Sequence, residues 1–142
     1  MTPEQKIKHM VLAVTADWAG EDAPAFEAEI VDTLWERLVE NDSHWDGMGE
    51  VRGGEAETGL PCEWSRHYES KAVAAQAADG SWVGWTYWYG GGKHGLPEEV
   101  DWMDSAYDLT CVEEEKVVTV RTFALSPPTG SADNRPDAEN VK

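Results

Sequence analysis

The sequence of 142 residues sets twenty-eight Asp and Glu against eleven Lys and Arg, a formal net charge of −17 at pH 7. A surface of that sign repels nucleic acid, anionic membrane and acidic metabolites and attracts basic protein grooves, so neither direct nucleic-acid binding nor membrane binding is expected. A hydrophobic content of 41% with eight Trp argues against wholesale disorder, and a chain of this size fits one domain burying about two-thirds of its unfolded surface.

The charge belongs to the folded part. Residues 1–60 carry fourteen acids and four bases, residues 61–125 eleven and five, and residues 126–142 three and two. Cys62 and Cys111 form neither a CxxC pair nor a secreted disulfide framework. Met1-Thr2-Pro3-Glu4-Gln5 has no basic flank leading into an apolar run, and no stretch of about eighteen apolar residues suits a membrane span. A reducing cytoplasm is the expected setting.

Thr2-Pro3-Glu4-Gln5 has the form of a capped helix start, with Thr2 as N-cap, Pro3 at the first helical position and Gln5 closing a capping box. Ile7, Met10, Val11, Val14 and Trp18 then recur at helical spacing, which predicts a helix from Pro3 to about Asp17. Asp22-Ala23-Pro24 reads as a second start, followed by a stripe of Phe26, Ile30, Val31, Leu34 and Leu38 that ends near Asn41-Asp42-Ser43. Residues 44–61 hold five glycines and Pro61 among acids and read as a long loop. From Tyr68 the pattern turns to period two, with Asp79-Gly80 as a tight hairpin turn that places Ala74 opposite Trp85 and Ala72 opposite Tyr87. After the loop Gly90-Gly91-Gly92-Lys93-His94-Gly95 comes a helical turn from Pro97 to about Met103. Tyr107–Val112 and Lys116–Ala124 then read as a second hairpin bent at Glu113-Glu114-Glu115. The expected fold is α+β, one domain over residues 1–125 with two N-terminal helices on a four-stranded antiparallel sheet, and a disordered polar tail over 126–142.

Glu29, Asp32, Glu36 and Glu40 recur at intervals of three, four and four along the second helix. At about 1.5 Å of rise per residue they cover roughly 16 Å, over which one DNA strand carries about five phosphates. Glu98, Glu99, Asp101 and Asp104 are candidates to continue that acidic track, as are Glu113, Glu114 and Glu115. The plainer reading of the row is a solvated helix face. Trp85, Tyr87, Trp88 and Tyr89 put aromatics on both faces of one strand, either as an ordinary core strand or as anchors for a partner. Arg66, His67, Lys93, His94 and Arg121 are the scarce cationic groups around the glycine loop and form an alternative anion site for a small ligand-binding domain or enzyme. That loop lacks the GxxxxGK[ST] spacing of a phosphate loop and reads more simply as a connection. Cys62, His67, His94 and Cys111 have irregular spacing for zinc, so neither metal nor cofactor is expected, and no complete catalytic signature appears.

Cys62–Lys71, Trp82–Gly95, Asp101–Met103 and Glu115–Phe123, within a span of about half the chain, resemble small acidic proteins encoded by bacteriophages and mobile elements. The resemblance implies a bacterial cytoplasmic setting, where small acidic proteins that mimic nucleic acid and block defence nucleases recur. The expected function is therefore non-enzymatic binding of a basic host protein, one that itself binds nucleic acid, in the manner of an anti-CRISPR or anti-restriction inhibitor. An immunity-type protein that neutralises a toxin is a further alternative.

Overall fold

The computed structural model describes residues 1–126, and the polar tail expected over 126–142 lies, apart from Ser126, outside the described residues. The chain divides into two units, Met1–Val112 and Glu113–Lys142. The first contains three helices, α1 (Pro3–Trp18), α2 (Ala28–Glu40) and α3 (Trp45–Val51), and four strands, β1 (Ala56–Glu57), β2 (Glu69–Gln76), β3 (Trp82–Tyr89) and β4 (Tyr107–Leu109). The strands form one antiparallel sheet in the order β1-β2-β3-β4, with short 3-10 turns at Gly92–His94 and Pro97–Glu99 between β3 and β4. The class is α+β. Among the described residues, no helix is long and apolar enough to cross a membrane.

The capping box at the start of α1 forms as read: Gln5 N–H donates to Thr2 Oγ1, and Thr2 N–H donates to Gln5 Oε1. Ile7 and Val11 are fully buried on the face that this start aligns. The second helix begins four residues later than Pro24. His9 Nε2 lies 2.9 Å from the carbonyl oxygen of Pro24, and the His9 ring meets Phe26 edge-on, so α1 holds this segment outside the helix. A carbonyl only accepts, so Nε2 is the protonated nitrogen.

Residues 44–61 are not one long loop. They fold into α3 and β1 because Gly47, a poor helix former by itself, lets α3 sit directly on α1: a Cβ there would lie 2.8 Å from both Thr15 Oγ1 and Val11 Cγ1. Both α2 and α3 pack on α1, and α1 in turn packs on β3 and β4. The expected pair of helices on the sheet is thus replaced by one helix that carries the other two.

The hairpin between β2 and β3 exists, but its register is one residue away from the two-residue Asp79-Gly80 turn. Ala77 pairs with Ser81 across a three-residue turn, its N–H donating to the Ser81 carbonyl while Gly80 N–H donates to the Ala77 carbonyl. Gly80 sits at φ 88°, the left-handed position such a turn requires. Val73 therefore pairs with Trp85, and Lys71 with Tyr87, in place of Ala74 and Ala72. A slip of one residue exchanges the faces of a strand, and here it sends Val73, Ala75, Val83 and Trp85 together into the core with Ile7, Trp102 and Met103. On the other face, the Tyr107 and Leu109 side chains of the neighbouring β4 close over Gly84, where a Cβ would come within 2.7 Å of both.

The second hairpin does not form. β4 ends at Leu109, the helical turn expected to reach Met103 stops at Glu99, and the sheet's fourth strand is β1. Residues 110–126 contain no strand, and Val117, Val120, Phe123 and Leu125 are exposed. Alternation supplies strand propensity, but a strand is stabilised only by a covered face. The first unit ends at Val112.

Candidate functional site

Four elements surround a cleft of about 370 Å³ on the helical side of the first unit. The first turns of α1 bring Glu4 and Lys8, α2 brings Trp35 and Val39, and the start of α3 brings His44, Trp45 and Met48. The turn Pro97–Glu99 and the chain after it bring Glu98, Glu99, Asp101 and Asp104 around Trp102 and Met103. Five carboxylates and one ammonium make this lining strongly anionic. A second depression of about 220 Å³ is bounded by Trp45, Met48, Arg52, Glu98, Glu99 and Trp102.

The aromatic wall is continuous. Trp35 and His44 meet edge-on at 5.9 Å, and His44 lies 4.4 Å from Trp45. Trp45 Nε1 donates to Asp42 Oδ1 at 2.9 Å, which fixes the indole while leaving the side chain about half exposed. At the floor, Trp102 is only 2% exposed and packs 5.3 Å from Trp85. Neither Trp102 Nε1 nor His44 Nδ1, both buried, has a hydrogen-bond partner among the described residues. Lys8 already shows what the wall attracts: its ammonium lies 5.6 Å from the Trp35 ring centroid and 3.6 Å from Glu4 Oε2. An indole face draws cations through its quadrupole, and carboxylates add a direct Coulomb attraction.

The eight acidic candidates fall into two groups. Glu98, Glu99, Asp101 and Asp104 line the cleft. Glu29, Asp32, Glu36 and Glu40 are all exposed along α2, outside the cleft lining, with Asp32 accepting from Gln5 Nε2 at 3.1 Å. Glu113, Glu114 and Glu115 belong to the second unit and are exposed.

The aromatic candidates also divide. Trp85 is fully buried, donating from Nε1 to the Arg52 carbonyl at 2.8 Å, and Trp88 is 5% exposed. Their expected place at an interface is corrected: both serve the core, because Trp85 faces α1 and Trp88 is closed over. Tyr87 and Tyr89 remain half-buried and stacked at 5.8 Å, with the Lys71 ammonium 5.6 Å and 5.8 Å from the two rings. The Arg52 guanidinium also lies over Tyr87 at 4.5 Å and donates to the Trp88 carbonyl. Lys71 is held in its charged form, its pKa raised by its hydrogen bond to Glu57.

Of the residues of the alternative anion site, Arg66 and His67 line one shallow groove with Tyr68 and Tyr89, whereas Lys93 and His94 stand exposed on the turn Gly92–His94 outside that lining. Arg121 belongs to the second unit. Cys62 Sγ lies 3.6 Å from Ser70 Oγ, and Cys111 is an exposed free thiol.

Sequence reasoning missed Trp35, His44, Trp45 and Trp102 as site residues. They come from three separate stretches of chain with no common spacing, and the one local signal was Trp102 set between Asp101 and Asp104. No family model, curated relative or solved structure matches the chain.

Proposed function

We propose that this chain is a non-enzymatic acidic binding protein, of phage or mobile-element origin, that occupies the nucleic-acid groove of a basic host protein in the bacterial cytoplasm. The observation that carries the reading is the row Glu29, Asp32, Glu36 and Glu40, four exposed carboxylates on a single helix. Spaced at three and four residues, they match the linear charge density of a phosphate strand to within a small factor. The resemblance of Cys62–Phe123 to mobile-element proteins supports the same setting. Charge of this kind sets on-rate and partner choice more than lifetime, so residence time has to come from apolar contact, which the half-buried Tyr87 and Tyr89 supply.

The test is capture of partners from a bacterial lysate at low salt, followed by competition with duplex DNA. DNA is expected to displace the captured protein, and replacement of all four α2 carboxylates by Gln or Asn is expected to reduce capture at least tenfold. Binding should also fall steeply from low to moderate salt. Retention in the presence of excess DNA, or affinity indifferent to salt, defeats the mimicry. Capture of a toxin that binds no nucleic acid points to the immunity-type alternative.

A further inference from the structure

We propose that the cleft between α1, α2, α3 and the Pro97–Glu99 turn is a receptor for an arginine side chain presented on a peptide segment of the partner. The assignment rests on the partner being a basic protein, and it names the group that protein inserts. Four observations converge on it.

First, the wall formed by Trp35, His44 and Trp45 offers flat aromatic faces beside carboxylates, and a planar guanidinium both stacks on such faces and forks its N–H groups onto carboxylate oxygens. Second, the wall already attracts a cation, since Lys8 sits over Trp35 beside Glu4. Third, the cleft carboxylates come from two separate segments, Glu4 on α1 and Glu98, Glu99, Asp101 and Asp104 after β3, so they border the cleft from more than one side. Fourth, Trp102 at the floor is 2% exposed and its Nε1–H has no acceptor among the described residues. That indole closes the floor beside Asp101 and Asp104, so a group seated in the cleft changes the surroundings of its N–H. A quaternary ammonium would use the aromatic faces but bring no N–H donors to the carboxylate lone pairs.

The experiment titrates the intact protein with Nα-acetyl-arginine N-methylamide, following the indole N–H resonances of Trp102 and Trp45 by NMR. A saturable shift of the Trp102 N–H is expected. The citrulline analogue, which keeps the shape and loses the charge, is expected to bind at least tenfold more weakly, as is the lysine analogue. Trp45→Ala and Glu99→Gln, both at exposed positions, are each expected to weaken the arginine probe by about tenfold. Trp18→Ala, an exposed indole at the far end of α1, should leave it unchanged. Absence of a saturable shift, equal binding of citrulline or lysine, or undiminished binding by Trp45→Ala overturns the proposal. The titration contains no partner and no DNA, so its failure is separate from a failure of nucleic-acid mimicry.

Discussion

Glu29, Asp32, Glu36 and Glu40 stand on α2 in open solvent, whereas Glu98, Glu99, Asp101 and Asp104 ring a cleft walled by Trp35, His44 and Trp45 and floored by Trp102. The charges are the same and the surroundings differ. Exposed carboxylates on a helix act through water and are screened over about 10 Å at 0.1 M salt, so the α2 row attracts at a distance and holds weakly. The carboxylates are exposed in both regions, but those of the cleft stand beside aromatic rings, which add a short-range contact to the charge. One region is suited to steering and the other to retention, and α2 serves both by carrying the open row and by placing Trp35 and Val39 in the cleft wall.

The comparison breaks most completely if the cleft floor is undermined. Trp85, fully buried and packed against Trp102, supports that floor. Trp85→Ala is expected to cost about 3–5 kcal/mol of stability, read from the denaturant midpoint, with loss of arginine-probe binding in the fraction that remains folded. A cost below about 1 kcal/mol would mean that Trp85 is not the core element described.

A smaller change separates the regions more cleanly. Gly47→Ala places a methyl group 2.8 Å from Val11 Cγ1 and Thr15 Oγ1, which pushes α3 away from α1 and takes Trp45 and Met48 with it. Overpacking of this kind costs about 1–3 kcal/mol. Arginine-probe binding should weaken, while salt-dependent capture through the α2 row should persist, because that row does not depend on α3. Equal loss of both would show that the two regions act as one surface.

The smallest expected effect comes from a site that belongs to neither region and shows how pH reaches the scaffold. Tyr107 Oη is buried without a partner among the described residues, and desolvation raises its pKa above the ordinary 10.0. The folded state therefore keeps this proton more tightly than the unfolded chain. Its contribution is fully present below about pH 10 and is lost as pH rises through the higher folded value. Tyr107→Phe should flatten the alkaline limb of the stability profile and raise stability at neutral pH by about 1 kcal/mol through removal of an unsatisfied hydroxyl. An unchanged alkaline limb in thermal melts would place the pH dependence elsewhere, with Lys71 and Glu57 as the next pair to examine.

Local signals were legible where the interaction they name is local. The capping box closes between residues three apart, and the Trp82–Tyr89 run needs only its alternation and a turn at Asp79-Gly80 to become a strand. The α2 acids were readable for the same reason, since their common face follows from helical spacing alone. Gly47 pointed the wrong way because its cost as a helix residue is local, while its advantage, the approach to Val11, is tertiary. Lys116–Ala124 misled in the opposite sense: it carries a strand pattern with no covered face to make the pattern count.

The sequence by itself determined the charge, the α+β class, the start of α1 and the exposed row on α2, because each depends on composition or on neighbours within about one helical turn. Tertiary structure alone decided the hairpin register, the burial of Trp85 and Trp88, and the meeting of four Trp- and acid-bearing segments around one cleft. Those outcomes depend on packing between residues as far apart as Glu4 and Asp104, and packing is selected by the shape of the whole core, which no local spacing encodes.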